Sequence, residues 1–121
     1  MRNKEQIRAA NALDSLRRVP ELNKGQQGGD ALTGFPALIV GNGLLATVAF
    51  SQAKGSGHTC ICDAIARHLA HKAIGLLDKT STDATAMARE LAQENSDKLR
   101  LCTAEALAFL NYLRRFAKAS A

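Results

Sequence analysis

Between Asp30 and Lys54 the chain runs for 23 residues without one charged side chain: ALTGFPALIVGNGLLATVAFSQA. Such a segment has to be withdrawn from water by a bilayer, by the protein's own core or by a partner. A bilayer needs roughly 20 apolar residues, so length alone permits a span. The residue types argue against one. Gly34, Pro36, Gly41, Asn42 and Gly43 interrupt the run, and its flanks lack the aromatic belt and Lys/Arg cluster that anchor a membrane helix. The run therefore reads as the central helix of a small helical domain, buried mostly inside one subunit. Pro36 suits the first turn of that helix, where a missing N–H costs nothing. Gly41 and Gly43 each weaken a helix by about 1 kcal/mol, which predicts a bend or break there, the alternative being a neighbour packed against bare backbone. Lys54 complements the dipole at its end, and Gly55-Ser56-Gly57 terminates it.

Helical punctuation recurs along the rest of the chain. Asn3 followed by Gln6 is a capping-box pattern, opening a helix with Ala9, Ala12, Leu13, Leu16 and Val19 inward and Arg8, Asn11, Ser15 and Arg18 on another face. Pro20 limits its length. Residues 23–30, rich in glycine and amides, read as a flexible loop. After the charge-free run, Ile61, Ile65, Leu69, Ala73 and Leu76 or Leu77 predict a third helix with Arg67, His68, His71 and Lys72 on its outer side. Thr80-Ser81-Thr82-Asp83 reads as a capping box before a short helix built on Ala84, Met87, Ala88 and Leu91. Asn95-Ser96 then precedes a last helix from about Asp97 to Ala119, with Leu99, Cys102, Ala106, Leu110, Leu113 and Ala117 inward. No segment alternates with period 2. Alanine and leucine dominate over one Tyr, four Phe and no Trp, which favours helix over strand. The expectation is an all-α fold: a compact bundle of five to six helices, without a sheet, forming a single domain over residues 1–121.

Chemistry is sparse. His58, Cys60 and Cys62, with His68 and His71 downstream, supply zinc's preferred atom types. However, Cys60 and Cys62 are separated by one residue, and on a helix they point about 200° apart. Inert thiols, solvated histidines and no metal are the expectation. No serine sits in an elbow motif, Gly41-Asn42-Gly43 lacks the lysine and strand of a phosphate loop, and Glu90 with Glu94 is an ordinary solvated pair. Neither an enzyme nor a cofactor is expected. Three cysteines and a polar start, MRNKEQIRAA, point to a reducing cytoplasm. Lys and Arg outnumber Asp and Glu by 16 to 11, and the basic residues gather as Arg17-Arg18, Arg67 with Lys72, and Arg114-Arg115 with Lys118. With so few aromatics to stack on bases, any nucleic acid would be held by phosphates and shape.

Residues 36–54, PALIVGNGLLATVAFSQAK, resemble the P-x-L-I-x-x-N-G-L-x-x-T-x-A-F-x-x-x-K signature of the small subunit of type III-B, Cmr-type, CRISPR effector complexes. Residues 102–118, CTAEALAFLNYLRRFAK, resemble that family's closing helix with its basic ending, and Arg8-Ala9 matches a third block. The resemblance implies a non-catalytic helical subunit, stacked with copies of itself in a filament. It implies as partners the backbone subunits, the large polymerase-like subunit, and guide and target RNA. Arg8, Lys54, Arg114, Arg115 and Lys118 match basic positions of the three blocks and are the expected RNA-facing residues. Arg17, Arg18, Arg67 and Lys72 join them on charge and helical face. The competing readings are a protein–protein adaptor that never touches RNA, and a small metalloprotein using His58, Cys60, Cys62 and His71.

Overall fold

The computed structural model describes residues 1–23 and 30–120. The loop expected over 23–30 lies outside the described residues except at its ends. Among the described residues there are six helices: α1 (Lys4–Arg18), α2 (Asp30–Asn42), α3 (Leu44–Lys54), α4 (Ser56–Ala70), α5 (Ala84–Gln93) and α6 (Ser96–Ser120), with a 3-10 turn at Pro20–Asn23 between the first two. No strand occurs among the described residues. The all-α reading holds.

The local signals explain most helix starts. Asn3 Oδ1 accepts the Gln6 N–H at 2.9 Å while Gln6 Oε1 accepts the Asn3 N–H at 2.8 Å, completing the capping box. Asp83 caps α5 by accepting the Ala86 N–H at 2.8 Å. This is a simple N-cap, because the third helical residue is Ala86 and no reciprocal bond can form. Asn95 does the same for α6, accepting from the Lys98 N–H at 2.9 Å.

The charge-free run departs from expectation in two ways. It forms two helices, and its helix begins at Asp30, so Pro36 lies inside α2 and denies the Leu32 carbonyl its usual donor. The break falls at Gly43, whose φ of 89° and ψ of 160° place it where only glycine is comfortable. A Cβ at Gly43 would meet nothing within 4 Å; the requirement is conformational, and no neighbour presses on the backbone. The neighbouring residues complete the joint. Gly43 N–H donates to the Ile39 carbonyl at 2.8 Å. The Leu38 carbonyl accepts from Asn42 Nδ2 and from Thr47 Oγ1, both at 3.1 Å, and Thr47 Oγ1 also reaches the Gly43 carbonyl at 2.8 Å. The Gly43 N–H thereby satisfies the Ile39 carbonyl at the end of α2, and the Gly43 carbonyl accepts the Thr47 N–H at 3.1 Å as the first bond of α3. The N-G-L-x-x-T portion of the signature is thus a helix–helix joint. Gly55, with φ of 130°, makes the next one, between α3 and α4.

Nor is the run the central helix. Close to half of its residues face solvent, Val40 and Phe50 among them at 74% and 46% exposure. Freedom from charge is not apolarity, and its Ala, Gly, Thr, Ser and Gln side chains tolerate water. The centre is α4, which touches every other element. It buries Ile61, Cys62, Ala64, Ile65, Ala66, Leu69 and Ala70. Its alanines let neighbours approach from several sides at once. From the long α6, Cys102, Ala106, Phe109, Leu110, Leu113 and Ala117 join the same core cluster.

Helix α4 ends at Ala70, earlier than the apolar spacing suggested. Leu76 and Leu77 belong to the connection that follows, where their N–H groups both donate to the Leu69 carbonyl at 3.0 and 3.1 Å. Gly75, with φ of 64°, makes the turn. Glu90 of α5 then holds this connection. It accepts from the Asp78 N–H at 3.0 Å and from Ser81 Oγ at 2.7 Å, so it is not the solvated surface acid it resembled. Asp63 of α4 accepts the Ala84 N–H at 2.8 Å and fixes the start of α5.

Candidate functional site: a buried polar node beside a basic cavity

The inward face of α1 is more polar than its apolar spacing suggested. Leu13 is exposed, whereas Ile7, Ala12 and Ser15 are buried and Arg8 and Asn11 point at the other helices. The reason lies in α4 and α6. Glu105, 4% exposed on the otherwise apolar face of α6, accepts from Arg8 Nε at 2.7 Å and Arg8 Nη2 at 2.8 Å. His68, 1% exposed, donates from Nε2 to the same carboxylate at 2.9 Å. Its Nδ1 accepts from Asn11 Nδ2 at 2.9 Å, and its ring stacks on Phe109 with centroids 4.3 Å apart. His68 was expected on the outer side of its helix; it is instead interior and fully hydrogen-bonded.

Electrostatics follow from this geometry. Burial alone would raise the Glu105 carboxyl, but the Arg8 and His68 hydrogen bonds outweigh it and pull its pKa down to about 2. For His68 burial dominates and lowers the pKa despite the carboxylate, so the ring is neutral with its proton on Nε2, as the bonds require. Arg8 is held in its charged form, chiefly by its bond to Glu105. The cation is committed to that pair.

His68 and Asn11 also form one wall of a half-open cavity of about 270 Å³ between α1, the end of α4 and the connection to α5. Arg18, Arg67, His71 and Lys79 contribute its cationic and imidazole groups, and Asp14 its carboxylate. Asp14 is taken up by Arg17 Nη2 at 2.6 Å and Arg18 Nε at 3.4 Å. The structure thus brings Arg18 and Arg67 together, and adds Lys79, which stands outside the basic clusters visible in the sequence. Lys72 lies on the same connection, exposed, outside the cavity lining.

The remaining predicted residues lie elsewhere. Lys54 is exposed at the end of α3, and Arg115 and Lys118 are exposed on α6. Arg115 donates to Asn111 Oδ1 at 3.2 Å, and Arg114 is half-buried with its Nε unpartnered. Arg8 and Arg115 both act on Tyr112, whose hydroxyl donates to Glu5 at 3.2 Å. Cys62 and Cys102 are buried and their thiols pushed up to about 11, mainly by burial. Among the described residues no group of three His, Cys, Asp or Glu side chains is placed to hold a metal, and no helix is long and apolar enough to cross a membrane.

Among the described residues the chain is a six-helix bundle centred on α4, with a satisfied interior ion node and cationic side chains left over at its surface. Comparison with known proteins gives the lineage. The family model for a CRISPR-associated protein, Cas_Cmr5, matches residues 4–120. The chain belongs to the Cmr5 family, the small subunits of type III-B CRISPR complexes. Among solved structures it is similar to a CRISPR-associated Cmr5 family protein from Thermus thermophilus. That match has a TM-score of 0.75 at 24% identity over 98% of this chain and 97% of the other, a likeness of fold. No curated protein matches.

Proposed function

We propose that this subunit is a non-catalytic scaffold and RNA-binding component of a type III-B complex in antiviral defence. In this reading it neutralises guide–target RNA phosphates through surface Lys and Arg, and stacks with copies of itself beside the backbone and polymerase-like subunits. The observation that carries the reading is an asymmetry in how charged groups are used. Several carboxylates are already engaged within the chain: Glu105 by Arg8 and His68 in the interior, Asp14 by Arg17 and Arg18 at the surface, Glu90 and Asp63 by backbone N–H groups, and Asp83 by a helix N-terminus. The cations are not. Lys54, Lys72, Arg115 and Lys118 are exposed and outside every ion pair among the described residues. Free donors of one sign attract a polyanion without reading its sequence.

Binding of RNA should therefore weaken linearly in log affinity with log salt. Charge reversal at Arg114, Arg115 and Lys118 should lower affinity for target RNA and reduce the salt slope by about 1 per lost phosphate contact. Equal affinity and slope in the triple variant, measured in the assembled complex, would remove these residues from the interface. Leu13, Val40, Phe50 and Leu101 are large apolar side chains left exposed, which supports contacts with neighbouring subunits. An adaptor without RNA contact would show those contacts, assemble independently of salt, and give no RNA crosslink to this chain.

A further inference from the structure

The cavity between α1, α4 and the α4–α5 connection is lined by a guanidinium that no carboxylate takes up. Arg67 stands outside every ion pair among the described residues, and its Nη2 is buried without a hydrogen-bond partner, a deficit that an anion drawing the side chain toward the cavity would relieve. Burial, and after it the like charge of Arg18, works against the charged form of Arg67, with Asp63 and Asp14 opposing. The carboxylate on the cavity wall, Asp14, is already engaged by Arg17 and Arg18. Lys79 adds a further positive charge to the lining, and Ser15 and Thr82 add hydroxyls. His71 Nδ1 accepts the Ala73 N–H at 3.1 Å, which leaves Nε2 as the ring nitrogen free to donate. The wall is stiff, because Glu90 and the Leu69 carbonyl fix the connection that carries Lys79.

We propose that this cavity is a binding site for a single phosphate group. A guanidinium fork flanked by a second guanidinium, an ammonium and hydroxyls matches the several oxygens of phosphate, where a carboxylate would leave donors over. At about 270 Å³ the space lies just below the roughly 300–1,000 Å³ typical of drug-sized ligands, which suits phosphate or a phosphomonoester and its waters. The site goes beyond the RNA reading: it takes the group whether a free anion or a nucleotide presents it.

The full chain is titrated with inorganic phosphate at constant ionic strength, chloride being the balancing anion, and followed by calorimetry and by ³¹P NMR line width. Saturable binding is expected. Arg67→Gln should weaken it about tenfold or more, equivalent to about 1.4 kcal/mol. Lys79→Gln, at an exposed position on the connection, should weaken it without disturbing the fold, while Lys4→Gln at the far end of α1 should bind as wild type. Failure to saturate, or equal affinity in wild type, Arg67→Gln and Lys79→Gln, overturns the proposal. A second arm adds an RNA oligonucleotide. Competition with phosphate identifies the RNA backbone as the source of the group, and simultaneous binding identifies a small anion. A chain that binds phosphate but no RNA would sink the RNA reading and leave this site standing.

Discussion

Replacing Glu105 by Gln tests whether the polar node holds α1 against α4 and α6. The carboxylate sits at 4% exposure and accepts three hydrogen bonds, two from Arg8 and one from His68. A glutamine of the same shape offers one acceptor, and its NH₂ confronts a donor. Lowering the Glu105 pKa from 4.5 to about 2 favours the ionised form by about 3 kcal/mol. Arg8 keeps 26% of its side chain exposed, so solvent screening trims this to about 2 kcal/mol at neutral pH. The sign of the pH dependence follows. A carboxyl whose folded pKa is depressed stabilises the fold fully above about 4.5, and that contribution disappears as pH falls toward 2. The wild type should therefore lose stability steeply between about pH 4.5 and 2, and the gap to Glu105→Gln should close over that window. His68, lowered by burial, acts in a separate window: the unfolded chain takes up its proton below about pH 6.5, so stability falls there as well. Urea unfolding followed by helical circular dichroism, repeated from pH 2 to 8, measures both. A variant within about 0.5 kcal/mol of wild type at pH 7, with an unchanged acid limb, would refute the reasoning.

Two further tests are cheaper. Gly43→Ala should cost about 1–3 kcal/mol by forcing a side chain into a glycine-only conformation, although a Cβ there meets no atom within 4 Å; an unchanged melting temperature would show that the joint is not conformationally demanding. Thiol labelling should begin at half-buried Cys60, whose pKa is raised by burial, with Cys62 and Cys102 near 11 reacting only on unfolding, since at pH 8 about one thousandth of such thiols is ionised. Rapid labelling of Cys62 or Cys102 in the native protein would show that α4 and α6 open locally.

Features set by neighbours in sequence were readable from it. The Asn3–Gln6 box and the break near Gly43 rest on residues within a few positions of one another, and both occur, while of the box expected over Thr80–Asp83 only the Asp83 cap forms. Features set by distant partners were not. Arg8 looked like a surface cation because nothing near it reveals Glu105, 97 residues away. The available signal was on α6, where position 105 shares the inward register of Cys102, Ala106 and Phe109. An acid placed there needs a cation, and it finds one on α1. His68 was misplaced for the same reason. Its helix is buried on nearly every side, so there is no outer side for it to occupy. Leu76 and Leu77 extended the apolar spacing of α4 past its end because a connection that caps a helix buries leucines as well as a helix does.

Formal charge understates what this surface can offer a polyanion. A net charge of +5 counts Glu105, Asp14, Glu90 and Asp63 as though their oxygens were available to compete for cations, whereas each already accepts hydrogen bonds within the chain, Asp14 at the surface. The interior ion pair between Arg8 and Glu105 cancels itself and turns one expected RNA-facing cation inward. What remains outward is a set of cations outside every ion pair among the described residues. Of the family signature, only Lys54, which closes the charge-free run, belongs to that set. The rest of the signature, from Pro36 through Asn42, Gly43 and Thr47 to Phe50, builds a two-helix joint and leaves Val40 and Phe50 facing out. The same stretch therefore separates into a geometric part and a single electrostatic residue. Substituting Lys54 should change the salt dependence of RNA binding and spare the fold, whereas substituting Gly43 should do the reverse.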